Sequence, residues 1–214
     1  MMQGFGYLCT SSVVDMCTDR YVELMSTRDL LVDAAADLLQ RKGYAGTGVS
    51  EVLSASATTK GSLYFHFPGG KEELAGEALR RRGEAMADFI RHLLESSPDA
   101  ATAISAFAAA LAARLSDSDY ERGCALATAT LDAATESEVI RGACADGYNS
   151  WLGLLAQRLE ADGWSREDAE SEAILALSAL EGALVLARAR QDPAPLHTSG
   201  RLLSERLRNA APRR

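Results

Sequence analysis

Apolar residues recur at three- and four-residue spacing along most of this chain and nowhere settle into strict alternation, so helices are expected throughout and strands nowhere. From Thr27 the series Leu30, Leu31, Ala34, Ala35, Leu38 and Leu39 marks one helical face, with Ser26 and Asp29 forming a capping-box-like start. Gly43, after the cationic turn Arg41-Lys42, stops it. Thr47 is expected to cap a short helix carrying Val49, Val52 and Leu53. Ser56-Ala57-Thr58 then makes a tight turn into a third short helix, from about Thr59 to Phe67. Three helices in so few residues, the last two short and joined by a brief turn, form the helix-turn-helix pattern.

Pro68-Gly69-Gly70 breaks the chain, and Lys71-Glu72-Glu73-Leu74 opens a long helix to Ser96, its acidic first turn favoured by the helix dipole. Further helices are expected at 99–115, 122–134, 136–161, 165–190 and 195–210, with a clear break at Asp162-Gly163. The class is therefore all-α, a three-helix head joined by a long helix to a larger helical domain. The expected division is 26–72 and 73–214. Residues 1–25 show no helical period and hold four of the five methionines, so they are expected to be a flexible extension.

Composition narrows the function. Hydrophobic residues make up 47% of the 214, enough for a real core, and no apolar run reaches the ~20 residues that cross a bilayer. No membrane partner is expected. The four cysteines, Cys9, Cys17, Cys124 and Cys144, form no C-x-x-C pair, which argues against a zinc site and fits a reducing cytoplasm. A net charge of −8 looks wrong for a nucleic-acid binder, but it is unevenly spread: residues 26–71 carry five basic and four acidic groups, +1, and 72–214 carry −7. Charge thus permits DNA binding by the head without demanding it.

The third helix is more informative. At 100° per residue Leu63 and Phe67 share a core face, which turns Gly61, Ser62 and Phe65 outward and puts Lys60, Tyr64 and His66 along the edge. An outward Phe beside a glycine does nothing for a small domain, and the glycine costs helix stability. Such a face suits close approach to a groove, where hydroxyls meet base edges or phosphates and apolar groups meet thymine methyls. Lys71, at the start of the long helix among unpaired backbone N–H groups, suits a phosphate.

Thr47-Gly48-Val49, then Thr58-Thr59-Lys60-Gly61-Ser62-Leu63-Tyr64-Phe65-His66-Phe67, then Lys71-Glu72-Glu73-Leu74 together resemble the DNA-binding signature of the TetR family. The resemblance covers roughly residues 26–75, and the helices beyond fit it. It implies that Lys60, Gly61, Ser62 and Phe65 face bases with His66 near the edge. Thr59 belongs to the same surface, and Thr47, Tyr64 and Lys71 would hold phosphates. Pro68-Gly69-Gly70 is one residue longer than the commonest family spacing. With Arg122-Gly123-Cys124 it is similar to the lincomycin-resistance-repressor branch.

The family fold implies a homodimer through 165–190 and 195–210, with Ile174, Leu177, Leu180 and Leu184 as candidate interface positions. It also implies an unidentified small-molecule effector in a pocket of the middle helices, for which Phe107, Leu111, Thr128, Tyr148, Trp151 and Leu155 are candidates. The expected activity is a repressor released from a near-palindromic operator by that effector, with no cofactor. An enzyme is disfavoured, since no H-E-x-x-H, nucleophile elbow or dinucleotide glycines occur. A helical adaptor that binds only protein is the alternative, and it would leave the Lys60-to-Lys71 set unexplained.

Overall fold

The computed structural model describes residues 26–210, which hold nine helices and no strand. They are α1 (Thr27–Gly46), α2 (Val49–Ala55), α3 (Lys60–His66), α4 (Lys71–Ser96), α5 (Ala100–Asp117), α6 (Ala125–Ala133), α7 (Glu138–Ala161), α8 (Arg166–Arg190) and α9 (Ala194–Ala210). The expectation for residues 1–25 lies outside the described residues.

Local chemistry sets most of the starts. Ser26, Asp99, Ser137 and Ser165 each accept a backbone N–H three residues on, satisfying a donor that the first turn leaves unpaired. At the start of α2 the sequence expectation is corrected. Gly48 is the N-cap and offers no side chain, while the Thr47 hydroxyl points back and donates to the Gly43 carbonyl at 2.7 Å. The Thr47 side chain therefore closes the end of α1 instead of opening α2.

Gly43 explains that closure. Its φ of 72° breaks helical geometry inside α1, a conformation few L-residues adopt. A Cβ there would overlap the Asp132 carboxylate and lie 2.7 Å from Thr128 Cγ2, both on α6. A bare Gly43 thus lets α1 dock closely on α6.

Below the head, α4 packs along α7, α5 along α9, and α8 lies against α7 and α9. Bare backbone also sets the α4–α7 distance, since a Cβ on Gly83 would sit 3.3 Å from the Gly147 Cα. The buried Trp151 indole on α7 donates to the Gly83 carbonyl on α4 at 2.8 Å, which fixes the ring between the helices. Leu31, Leu39, Leu63 and Phe67 fill the head, while Ile104, Leu126, Ile140, Leu159 and Leu180 fill the body.

The Arg80-Arg81-Arg82 triplet splits as consecutive helical residues must. Arg80 pairs with Glu77 on its own helix, Arg81 bridges to Asp29 and Asp33 of α1 at 2.6 and 2.7 Å, and Arg82 turns into the body. The Ser26 hydroxyl, and after it the Arg81 guanidinium, hold the Asp29 carboxyl below its ordinary value.

Gly43→Ala tests the docking. It is expected to cost about 2 kcal/mol from left-handed strain and overpacking, a fall of roughly 4–8 °C in Tm. Thermal unfolding followed by circular dichroism reads it, and an unchanged midpoint would show that α6 gives way freely.

Candidate nucleic-acid interface and internal cavity

The surface of α3 is built on two buried anchors. Leu63 and Phe67 are fully enclosed, and Arg28 lies over the Phe67 ring at 5.3 Å while pairing with Glu77. Thr59 caps the helix, accepting from the Ser62 N–H at 3.2 Å, with the two hydroxyls 3.0 Å apart. This cap holds Ser62 half-buried and fixes the helix's entry angle.

What remains outward is Thr59, Lys60, Gly61, Tyr64 and Phe65, with His66 half-buried at the edge. Phe65 is 80% exposed, the second most exposed of the large apolar side chains, and its ring meets His66 edge-on at 5.0 Å. An exposed phenyl ring beside a bare glycine and a lysine gives this face an apolar centre with a cationic edge.

Tyr64 and Lys71 are brought together by the break between α3 and α4. Gly70 adopts a φ of 68°, and a Cβ there would sit 3.3 Å from Tyr64 Cε1, so the tyrosine ring lies over bare backbone. Lys60 Nζ lies 6.0 Å from the centre of the same ring. Beyond Gly70, Lys71 Nζ rests 4.2 Å over the Tyr44 ring, and burial pushes its ammonium pKa down. The Gly69 N–H is taken by the Glu73 carboxylate at 2.8 Å. Lys60, Tyr64 and Lys71 therefore form one polar edge beside the Gly61–Phe65 face. Thr47 is not on it: the residue is buried and its hydroxyl is spent on Gly43, so a phosphate-holding role for that side chain does not fit this geometry.

A second feature lies in the body. Phe107, Leu111 and Trp151 line a cavity of about 40 Å³ with Met86, Leu177 and Leu184. Of the other residues expected there, Thr128 donates to the Cys124 carbonyl at 2.9 Å and turns its methyl toward Gly43. Leu155 is ordinary core. Tyr148 stands behind the cavity, edge-on to Trp151 at 5.2 Å, its hydroxyl against the Cys124 thiol.

Glu181 also lines the cavity and was not anticipated. It occupies the same stripe of α8 as Leu177 and Leu184, and a carboxylate in an apolar stripe was the signal that could have found it. Burial pushes the Glu181, Cys124 and Tyr148 groups all above their ordinary values. The cavity opens toward a cleft of about 420 Å³ between head and body, lined by Gln40, Arg41, Arg82, Arg114 and Arg122.

The candidate interface residues on α8 divide. Leu177, Leu180 and Leu184 are buried within the chain, because this helix is apolar around much of its circumference and those three face inward. Ile174 is 55% exposed and belongs to an outward stripe with Leu175, Val185 and Leu186, joined by Leu202 on α9.

Comparison with known proteins matches two stretches of the chain. Residues 31–78 match the family model "Bacterial regulatory proteins, tetR family". Residues 100–202 match the model "Transcriptional regulator LmrA/YxaF-like, C-terminal domain". The HTH-type transcriptional regulator LmrA of Bacillus subtilis (strain 168) is 32% identical over 170 residues, 79% of this chain and 90% of that protein. Reduced Escherichia coli NemR superposes with a TM-score of 0.75 at 24% identity, covering 84% of this chain and 95% of that one. A cysteine mutant of the regulator CifR, solved with 26-bp double-strand operator DNA, gives 0.70 at 26% identity, covering 86% and 96%.

The contrast between neighbouring aromatics on α3 is testable. Phe65→Ala is expected to change unfolding free energy by no more than about 0.5 kcal/mol, whereas Phe67→Ala costs about 3–5 kcal/mol. Urea titrations of both variants decide it, and a large loss at Phe65 would make that ring part of the fold.

Proposed function

The chain belongs to the TetR family of DNA-binding transcriptional regulators, and from that premise we propose that it is a dimeric repressor released from a near-palindromic operator by a small-molecule effector. The observation that carries the reading is the outward face of α3, where a bare Gly61 and an 80% exposed Phe65 stand beside Lys60 on a rigidly capped helix. In the major groove, Gly61 lets the helix axis approach, Lys60 and Ser62 meet base edges, and Phe65 meets thymine methyls. Thr59 and His66 flank this contact. Tyr64 and Lys71 hold phosphates on either side of Gly70, assisted by the unpaired N–H groups at the start of α4. The head comprises residues 26–72 and the body 73–214.

A near-palindrome follows from two-fold symmetry. The outward stripe Ile174, Leu175, Val185 and Leu186 on α8, with Leu202 on α9, offers a self-complementary apolar surface. Gly182 lies within it, with open space where a Cβ would stand, which favours close helix approach. No helix among the described residues is long and apolar enough to cross a membrane, and a regulator of this kind acts in the cytoplasm with the DNA.

Coupling between effector and DNA runs through α6. Cys124 caps that helix and faces the cavity. The far end of α6 carries Thr128 and Asp132 against Gly43, and the Asp132 carboxylate accepts from the Ala45 N–H at 3.3 Å. Arg188 on α8 adds a clasp, donating to the carbonyls of Tyr120, Glu121 and Arg41. An effector that wedges the cavity favours a different seating of α6, and so a different spacing of the two heads, to the extent that it binds that state better.

Lys71→Ala tests the DNA contact. On an operator fragment recovered from genomic DNA by the purified protein, it should weaken binding about tenfold and reduce the salt slope by about 1. Fluorescence anisotropy across a salt series reads both. Unchanged binding in Lys71→Ala and Tyr64→Ala would move the phosphate contacts elsewhere, and recovery of no preferred fragment at all would leave the protein-only adaptor as the better account. Independently, Val185→Arg should convert the dimer to a folded monomer in sedimentation, and a dimer that persists would place the interface elsewhere.

A further inference from the structure

Among the buried polar atoms of the described residues without a hydrogen-bond partner, Glu181 Oε2 lies in the cavity, and Arg82 Nε and Arg41 Nε lie in the cleft beside it, Arg41 being ion-paired and Arg82 not. At the inner end, Glu181 Oε2 is buried with no hydrogen-bond partner among the described residues, in a wall of Phe107, Leu111, Trp151 and Leu177. Its one polar neighbour of consequence is the Cys124 thiol, and no arginine pairs with it in the described ion pairs. At the outer end, Arg82 Nε is buried and equally without a partner. The cleft also holds carboxylates: Asp37 pairs with Arg41 and Arg122 at 3.0 and 2.7 Å, Glu121 pairs with Arg41 at 2.8 Å, and Asp117 lies in the same lining. Arg82 and Arg114, however, have no ion-pair partner among the described residues. Burial and the charges of Arg122 and Arg114 press the Arg82 pKa down, against the opposing pull of Asp37.

These ends belong to adjacent spaces that share walls. Gln40, Arg114 and Arg122 border both the 420 Å³ cleft and the inner cavity, and Met86, Cys124 and Trp151 line the space between Arg82 and Glu181. A buried polar group without a partner is rare in a folded protein and points to something that completes it. The charges then restrict what that can be. A cationic ligand would have to pass Arg82 and Arg114, and a purely apolar one would leave both orphans buried. An acidic group matches the mouth, where a guanidinium receives a carboxylate with two parallel donors. At the inner end a hydroxyl suits better than an ammonium, since it can donate to a charged carboxylate and can also accept from a neutral carboxyl. The 40 Å³ throat has room for only a few water-sized groups, so the part that enters must be narrow.

We propose that the effector is an organic acid with a narrow apolar body and a hydroxyl at its far end, its carboxylate held by Arg82 and Arg114 and its hydroxyl by Glu181. This rests on the effector reading above and specifies its chemistry. Glu181 and Arg82 are the two specificity determinants, and they act on opposite ends of the ligand.

The test is calorimetric titration of the full-length protein with ω-hydroxyalkanoates of graded chain length, with the parent alkanoates and with the methyl esters of the hydroxy acids. At the matching length the hydroxy acid is expected to bind about tenfold or more tighter than either analogue. Glu181→Leu should erase the preference over the parent acid and keep the preference over the ester, and Arg82→Met should do the reverse. A folding defect would weaken all ligands alike and cannot produce this crossed pattern. The absence of both preferences at every length overturns the proposal, as does a hydroxyl preference that survives Glu181→Leu. Release of operator DNA by a neutral or cationic compound, indifferent to both substitutions, sinks this ligand class and leaves the effector reading standing. Failure of any compound in a broad collection to release DNA sinks the effector reading itself.

Discussion

At Gly43 the first helix leaves helical geometry directly beneath Asp132 and Thr128 of α6, where there is no space for a side chain. The rest of the molecule depends on this seat. It sets the angle at which α1 meets the body, and α1 with α4 sets the direction in which α3 points. Polar ties also hold the seat, among them Gln40 donating to the Gly123 carbonyl at 2.9 Å, Arg188 donating to the Arg41 carbonyl at 3.0 Å, and the Arg122–Asp37 and Arg41–Glu121 pairs at 2.7 and 2.8 Å. Head and body also share one apolar core, in which Leu39 and Ala36 of α1 belong to the same cluster as Leu126, Ala129 and Ala133 of α6, so reseating the head also shifts that packing.

The body is built so that a small disturbance reaches that seat. The inner cavity ends at Cys124, the capping residue of α6, and α6 is only nine residues long, from Ala125 to Ala133. Its far end carries the groups under Gly43. On the opposite wall, Trp151 is locked to the Gly83 carbonyl and α4 and α7 touch through bare glycine backbone, so that side has little freedom to yield. On the proposed reading, a ligand entering between the two walls would be resisted by the stiff one and would displace the short one. The unsatisfied Glu181 and Arg82 fit the same picture, since they are stability given up at a place where a ligand can return it.

Much of this was legible in the chain. Ser26, Asp99 and Ser165 are capping residues followed by apolar residues at helical spacing, and the helices start there. The inward and outward faces of α3 follow from the 100° step between Leu63, Phe65 and Phe67, because a short helix with two large anchors has only one way to bury them. Thr47 was misread because a threonine before a helix looks like a cap whichever way its hydroxyl turns, and the turn is set by a left-handed Gly43 whose cause lies on α6. Leu177, Leu180 and Leu184 share their helix with an outward stripe of equal hydropathy, so periodicity alone could not say which stripe faced the monomer core. The cavity was half-legible: Phe107, Leu111 and Trp151 are large and apolar, whereas Glu181 acquires its meaning from what three other helices fail to offer it.

The central claim is that two copies of α3, held at a fixed separation by a two-fold dimer, enter successive major grooves on one side of DNA. Hydroxyl-radical footprinting of a selected genomic fragment at ~0.15 M ionic strength tests it most directly, since weak charge contacts are screened there. Two protected patches related by approximate two-fold symmetry, with centres separated by about one helical turn or a multiple of it, are the predicted result. A single protected patch, or uniform protection along the fragment, would contradict it.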